Sequence, residues 1–122
     1  MEADRAPSQR WALILGASSG FGAAASLALA RNGFDIVGVH LDRRATLPNA
    51  EKIASDIRAM GRKALFFNVN AADAEKRTEI IQACRRAMDE APGSTGINTF
   101  LHSLAFGTLK LYITSDPNAA IK

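Results

Sequence analysis

The sequence predicts an α/β protein, a doubly wound parallel sheet that stops after about four strands. Three observations carry that prediction. Short, continuous apolar runs alternate with longer stretches of helical period. Each helical stretch is followed by a glycine or a glycine-containing break. A regular strand–helix–strand succession then favours parallel pairing through right-handed crossovers.

The run WALIL, residues 11–15, reads as a first strand covered on both faces. A helix is expected over residues 20–32, with Gly33 ending it in a left-handed conformation. DIVGVHL, residues 35–41, is the second strand. The next helix has Pro48 near its start, Ile53, Ile57 and Met60 on one face, and Gly61 as its stop. KALFFNV, residues 63–69, is the third strand. Asn70 and Asp73 have the spacing of a capping box, opening a helix with Ile81, Cys84 and Met88 on one stripe. APGSTG breaks that helix, and INTFLHSLAFG, residues 97–107, supplies the fourth strand and its exit loop. In the six-stranded order 3-2-1-4-5-6 the fourth strand would here be left as an apolar edge.

Composition narrows the function. Of the 122 residues, 48% are hydrophobic and 22% charged, which suits a buried core and argues against disorder. The formal charge of +3 comes from scattered Lys and Arg, so no nucleic-acid partner is expected. The single cysteine, Cys84, excludes an internal disulfide and a cysteine zinc cluster, and no metal site is predicted. It reads as a buried, inert thiol in a reduced, cytoplasmic setting. Residues 1–10, MEADRAPSQR, form a polar tail without a signal-peptide core, and no apolar run is long enough to span a membrane.

The chemistry starts where the first strand meets the first helix. There the spacing is Gly-x-x-x-Gly-x-Gly, with Gly16, Gly20 and Gly22. Gly16 lets the chain turn sharply off the strand. Gly20 removes a side chain where phosphate oxygens would approach, and Gly22 lets the helix pack closely, with Ala23, Ala24, Ala25 and Ala28 extending that packing. Exposed amides and the positive helix end then suit a pyrophosphate, with Ser18 and Ser19 adding hydroxyl donors and Phe21 in the same turn. This is the Rossmann-type placement that such a motif needs.

The spacing resembles that of the short-chain dehydrogenase/reductase family, and the resemblance covers residues 11–107. In that family the residue closing the second strand selects the cofactor. Here that position is His40 with Leu41 after it, where an acid would hold a ribose 2′-hydroxyl. Arg43 and Arg44 follow, suited to a 2′-phosphate, so the resemblance implies NADPH, with NADH the alternative because Asp42 lies between. At the end of the third strand the family's Asp-Val is replaced by Asn68 and Val69, which implies contact with adenine.

The fourth strand ends in HSLAFG, where most of the family has Asn-Asn-Ala-Gly. The segment is similar to that of the enoyl-acyl-carrier-protein reductases, a branch that reduces the double bond of a fatty acyl thioester on acyl carrier protein or coenzyme A. The resemblance places Ser103, Leu104 and Ala105 beside the nicotinamide ribose. His102 is expected to pack in the core, with Phe106 beginning an apolar stretch that could line an acyl pocket. A 3-ketoacyl or other carbonyl reductase of the same family, and a non-catalytic nucleotide-binding module, are the alternatives.

Family members use a tyrosine with a lysine four residues on, or seven on in the enoyl reductase branch. The sole tyrosine, Tyr112, has Asp116 and Ala119 at those positions and follows the fourth strand too soon. No catalytic residue is therefore assigned. Residues 11–122 are expected to be the N-terminal, nucleotide-binding part of a reductase whose catalytic half is absent and whose full length forms dimers or tetramers.

Overall fold

The computed structural model describes residues 9–91, 93–104, 113 and 115. Strands β1 (Gln9–Leu15), β2 (Phe34–His40), β3 (Ala64–Asn68) and β4 (Ser94–His102) alternate with helices α1 (Gly20–Arg31), α2 (Leu47–Ala59) and α3 (Ala74–Asp89). The strands pair in parallel throughout, in the order β3-β2-β1-β4. This is the expected α/β arrangement. Strand order reverses between β1 and β4, which opens a crevice beyond the carboxyl ends of these strands.

Alternation along each strand feeds two cores. Ala12, Ile14, Ile36 and Ala64 pack with Ala30 of α1 and with Ala54 and Ile57 of α2. Trp11, Val37 and Val39 face the opposite way and pack with Ile80 and Cys84 of α3. Burial raises the pKa of the Cys84 thiol above its ordinary value, so it stays protonated and unreactive at neutral pH. Among the described residues, no helix is long and apolar enough to cross a membrane.

The helices correct several expected details. The buried stripe of α1 is Gly22, Ser26 and Ala30, spaced by four, while Ala24 and Ala28 are exposed. Ser26 fits there because its Oγ donates to the Gly22 carbonyl at 2.8 Å, which satisfies a buried hydroxyl within the helix. In α2, Ala50 and Ala54 join Ile57 inside, whereas Met60 is the C-cap residue and lies exposed. The helix α3 begins later than the expected capping box. Asp73 is its N-cap, accepting from the Glu75 and Lys76 amides, and Asn70 instead closes an Asx turn onto the Ala72 amide. Its inward stripe runs through Ile80, leaving Ile81 57% exposed.

The strand β4 starts at Ser94 rather than at the expected residue 97 and lies at the sheet edge. Phe100 is consequently 58% exposed. His102, expected inside, is also exposed, because no described element covers that end of the edge strand.

One close approach governs how α1 meets the sheet. A Cβ on Gly22 would collide with the carbonyl oxygen of Gly16, which is backbone and cannot swing away. Gly22→Ala should therefore push α1 off β1 and lower stability by about 3 kcal/mol. Urea unfolding of the variant measures this; a loss below about 0.5 kcal/mol, as for an exposed helix site, would contradict the contact.

Candidate functional site

The turn between β1 and α1 is anchored by β2. The amides of Gly16 and Ala17 both donate to the Val39 carbonyl, at 2.8 and 3.1 Å. Gly16 has φ +89°, and the space of a Cβ there is filled by the Ser103 carbonyl and the Leu104 side chain from the end of β4. The Ser103 amide in turn donates to the Leu15 carbonyl at 2.8 Å. Thus Gly16, Ser103 and Leu104, separated in sequence, meet at the point where strand order reverses.

Gly20 differs from its two partners. It has φ +56°, and no atom lies within 4 Å of where its Cβ would be. Ser19 is the N-cap of α1 but makes no side-chain capping bond, and the first turn holds no acid. Ser19 and Gly20 are exposed, and Phe21 is 88% exposed. The bend is therefore open to solvent, with an uncapped helix start facing outward, which suits an anion.

The neighbouring corner is built by the residues after β2. His40 is buried, 5% exposed, and its Nδ1 lies 2.8 Å from Asp42 Oδ2. A carboxylate can only accept, so Nδ1 carries the proton of that bond. Burial by itself raises the pKa of the Asp42 carboxyl. Hydrogen bonding from Ser18, Thr46 and His40, with the charge of His40, outweighs burial and holds the carboxyl below its ordinary range. Ser18 belongs to the glycine-rich turn, so Asp42 ties the two loops together.

Asn68 holds the other side of the same loop. Its Oδ1 accepts from the Asp42 amide at 2.8 Å and its Nδ2 donates to the Asp42 carbonyl at 3.1 Å. The side-chain amide thus adds one peptide-like rung to the β2–β3 ladder, next to the bond from the Val69 amide to the His40 carbonyl at 2.9 Å. An asparagine can do this and an aspartate cannot, because both a donor and an acceptor are needed. Leu41, Arg43 and Arg44 are exposed around the corner.

Gly16 therefore meets Gly22, Ser103 and Leu104, Ser18 of the same turn bonds to Asp42, and Ser19, Gly20 and Phe21 face solvent beside them. His40 is buried, and the Asp42 side chain, 9% exposed, bonds to it. Ala105, Phe106 and Tyr112 lie outside the described residues. Sequence reasoning missed Gly38, where a Cβ would press within 2.9 Å of both Phe66 and Ala17, beneath the turn. A glycine inside an otherwise β-branched strand was the available signal.

The family model for short chain dehydrogenase matches residues 10–93, most of the chain and the whole of this glycine-rich unit. The chain belongs to the short-chain dehydrogenase family. No curated protein gives a significant sequence match. Solved structures share the fold. A short-chain dehydrogenase/reductase of Serratia marcescens is 28% identical, with a TM-score of 0.65 over 85% of this chain and 39% of that one. A 3-oxoacyl-(acyl-carrier-protein) reductase of Brucella melitensis is 21% identical, with a TM-score of 0.67 over 92% of this chain and 42% of that one. An L-sorbose reductase of Gluconobacter frateurii, complexed with NADPH and L-sorbose, is 22% identical, with a TM-score of 0.67 over 90% and 38%. This short-chain dehydrogenase chain spans about two fifths of the length of those structures.

Two outcomes test the corner. Asn68→Asp sets an acceptor against the Asp42 carbonyl and should lower stability by about 1–3 kcal/mol, read by urea unfolding; an unchanged midpoint would mean that the rung carries nothing. For Asp42 the sign follows from its depressed pKa. Its carboxylate contributes stability above the unfolded value, near about 3.9, and loses it as pH falls through the folded value. Asp42→Asn should therefore be less stable by about 1–2 kcal/mol at pH 7, with the gap closing as pH drops below about 4. A gap that widens in acid would refute the assignment.

Proposed function

We propose that this chain is the N-terminal, nucleotide-binding part of an NAD(P)H-dependent reductase that acts in the cytoplasm. The observation that carries the reading is the open bend at Gly20, with an uncapped helix start beside it. A dinucleotide pyrophosphate would lie along Gly16, Ser18, Ser19, Gly20, Phe21 and Gly22, taking hydrogen bonds from main-chain amides and the two serine hydroxyls. Asn68 and Val69 would border the adenine, and Ser103, Leu104 and Ala105 the nicotinamide ribose.

Bound there, the nicotinamide cofactor supplies the hydride. What the chain itself does is hold and orient it. The exposed side chains of Arg43 and Arg44 suit a ribose 2′-phosphate, which favours NADPH over NADH. Tyr112, with Asp116 and Ala119 four and seven residues on, does not carry the family's tyrosine–lysine spacing, so no residue is assigned to proton transfer.

For the substrate we favour the double bond of an enoyl thioester, carried by acyl carrier protein or coenzyme A, on the strength of the HSLAFG segment. A 3-ketoacyl thioester is the second reading, supported by the fold shared with the Brucella 3-oxoacyl reductase. Crotonyl and acetoacetyl thioesters separate the two in the full-length enzyme. Turnover of the enoyl substrate is expected, and turnover of the ketone alone would reject the first choice. Calorimetry should find NADPH bound about tenfold tighter than NADH, with the difference abolished in an Arg43→Ala, Arg44→Ala double variant. Equal dissociation constants in the parent protein would defeat the NADPH assignment.

A further inference from the structure

Near the amino ends of the strands, one polar group has no partner. Trp11 is fully buried, and among the described residues its indole Nε1 finds no acceptor. A buried donor left unpaired is costly, so native structures normally bring it an acceptor, whether protein, water or a bound group. Trp11 also borders a cavity of about 510 Å³. Gly16 follows five residues later, about 15 Å up the strand, so this cavity lies well away from the glycine-rich turn.

The walls of the cavity are cationic and apolar. The end of α2 and its connection to β3 contribute Arg58, Arg62 and Lys63, α3 contributes Ala87 and its C-cap Glu90, and β3 contributes Leu65. The two arginines are held in place, Arg58 by the Ala64 carbonyl at 2.8 Å and Arg62 by the Gly33 carbonyl at 2.9 Å. A guanidinium has five N–H donors, so both have donors to spare. Buried Asp35 fixes the third cation's backbone, accepting from the Lys63 amide at 2.8 Å, and its carboxylate lies 3.9 Å from Arg62 Nε. Setting Asp35 and Glu90 against Arg58, Arg62 and Lys63 leaves one positive charge over. One surplus charge, one orphan donor and an apolar wall describe the counterpart of a monoanion with a hydrocarbon part.

We propose that this cavity binds a small aliphatic monocarboxylate. Its carboxylate accepts from the Trp11 indole and lies among Arg58, Arg62 and Lys63, while its tail covers Leu65 and Ala87. Charge-assisted bonds of this kind are the strong ones, and the tail adds apolar burial. Nε1 is itself shielded from solvent, so its bond forms as the cavity wall gives way; Arg58 and Lys63 are exposed and can move. The inference does not depend on the nucleotide reading.

The test titrates the protein with acetate, butyrate and hexanoate at neutral pH and low ionic strength, against sodium chloride of the same ionic strength. Trp11 is the sole tryptophan, so its fluorescence reports on this cavity directly, and calorimetry gives the dissociation constants. Hexanoate should shift the emission and bind at least about tenfold more tightly than acetate, because its longer tail buries more apolar surface. Trp11→Phe keeps an aromatic ring and removes the donor; it should weaken hexanoate about fivefold by calorimetry. Lys63→Gln should weaken it about threefold. Lys52→Gln, on the exposed Lys52–Asp56 pair of α2, should leave it unchanged. Where Trp11→Phe fails to fold, the emission titrations of the parent, Lys63→Gln and Lys52→Gln decide alone. An emission that none of the three carboxylates moves would overturn the proposal and leave the cavity to water. Hexanoate affinity that survives Lys63→Gln, or falls equally in Lys52→Gln, would overturn it too, by placing the binding elsewhere.

Discussion

The carbonyl of Gly16 sits where the first side-chain carbon of any residue other than glycine at position 22 would have to be. That single close approach sets the distance between α1 and the sheet, and most of the site follows from it. It seats Gly22, Ser26 and Ala30 against the strands, aims the start of α1 outward, and places Ser18 where Asp42 can reach it. Gly16 is itself hemmed in by the end of β4, so the same few atoms join the first strand, the first helix and the last strand described. The three glycines of the motif thus do different work. Two are required by contact with other backbone, and Gly20 faces open space.

The second organising element is the loop after β2. Strand order alone would leave the edge of a nucleotide crevice there, with no particular charge. What gives the corner its character is the way Asp42 is held, by Asn68 through both of its backbone groups and by His40 through its carboxylate. An acid between a buried histidine and two exposed arginines is neither the bare carboxylate that suits a ribose diol nor a purely basic phosphate cradle.

Much of this was legible beforehand. The order of elements, the parallel pairing and the outward-facing turn all follow from periodicity and from the placement of glycines, because these depend on residues close in the chain. Helix faces were read less well. In α1 the alanine run suggested a close-packed surface, but the inward stripe passes through Ser26, whose hydroxyl is satisfied by its own helix. In α3 Cys84 and Met88 face the core as expected, but Ile80 takes the place of Ile81 on that stripe. His102 was expected inside, and its exposure reflects an edge strand whose flank no described element covers.

By itself, the sequence determined the fold class, the position of the glycine-rich bend and the presence of two arginines and an acid after the second strand. Those features are local: a period, a turn that needs positive φ, a spacing along one chain segment. Tertiary structure alone decided that His40 is buried, that Ser18 of the first turn bonds to Asp42, and that Asn68 completes a rung across β2 and β3. Each of these depends on where residues far apart in the chain meet. The direction of a side chain at a strand end is set by the neighbouring strand's register, and no pattern within the strand itself encodes that.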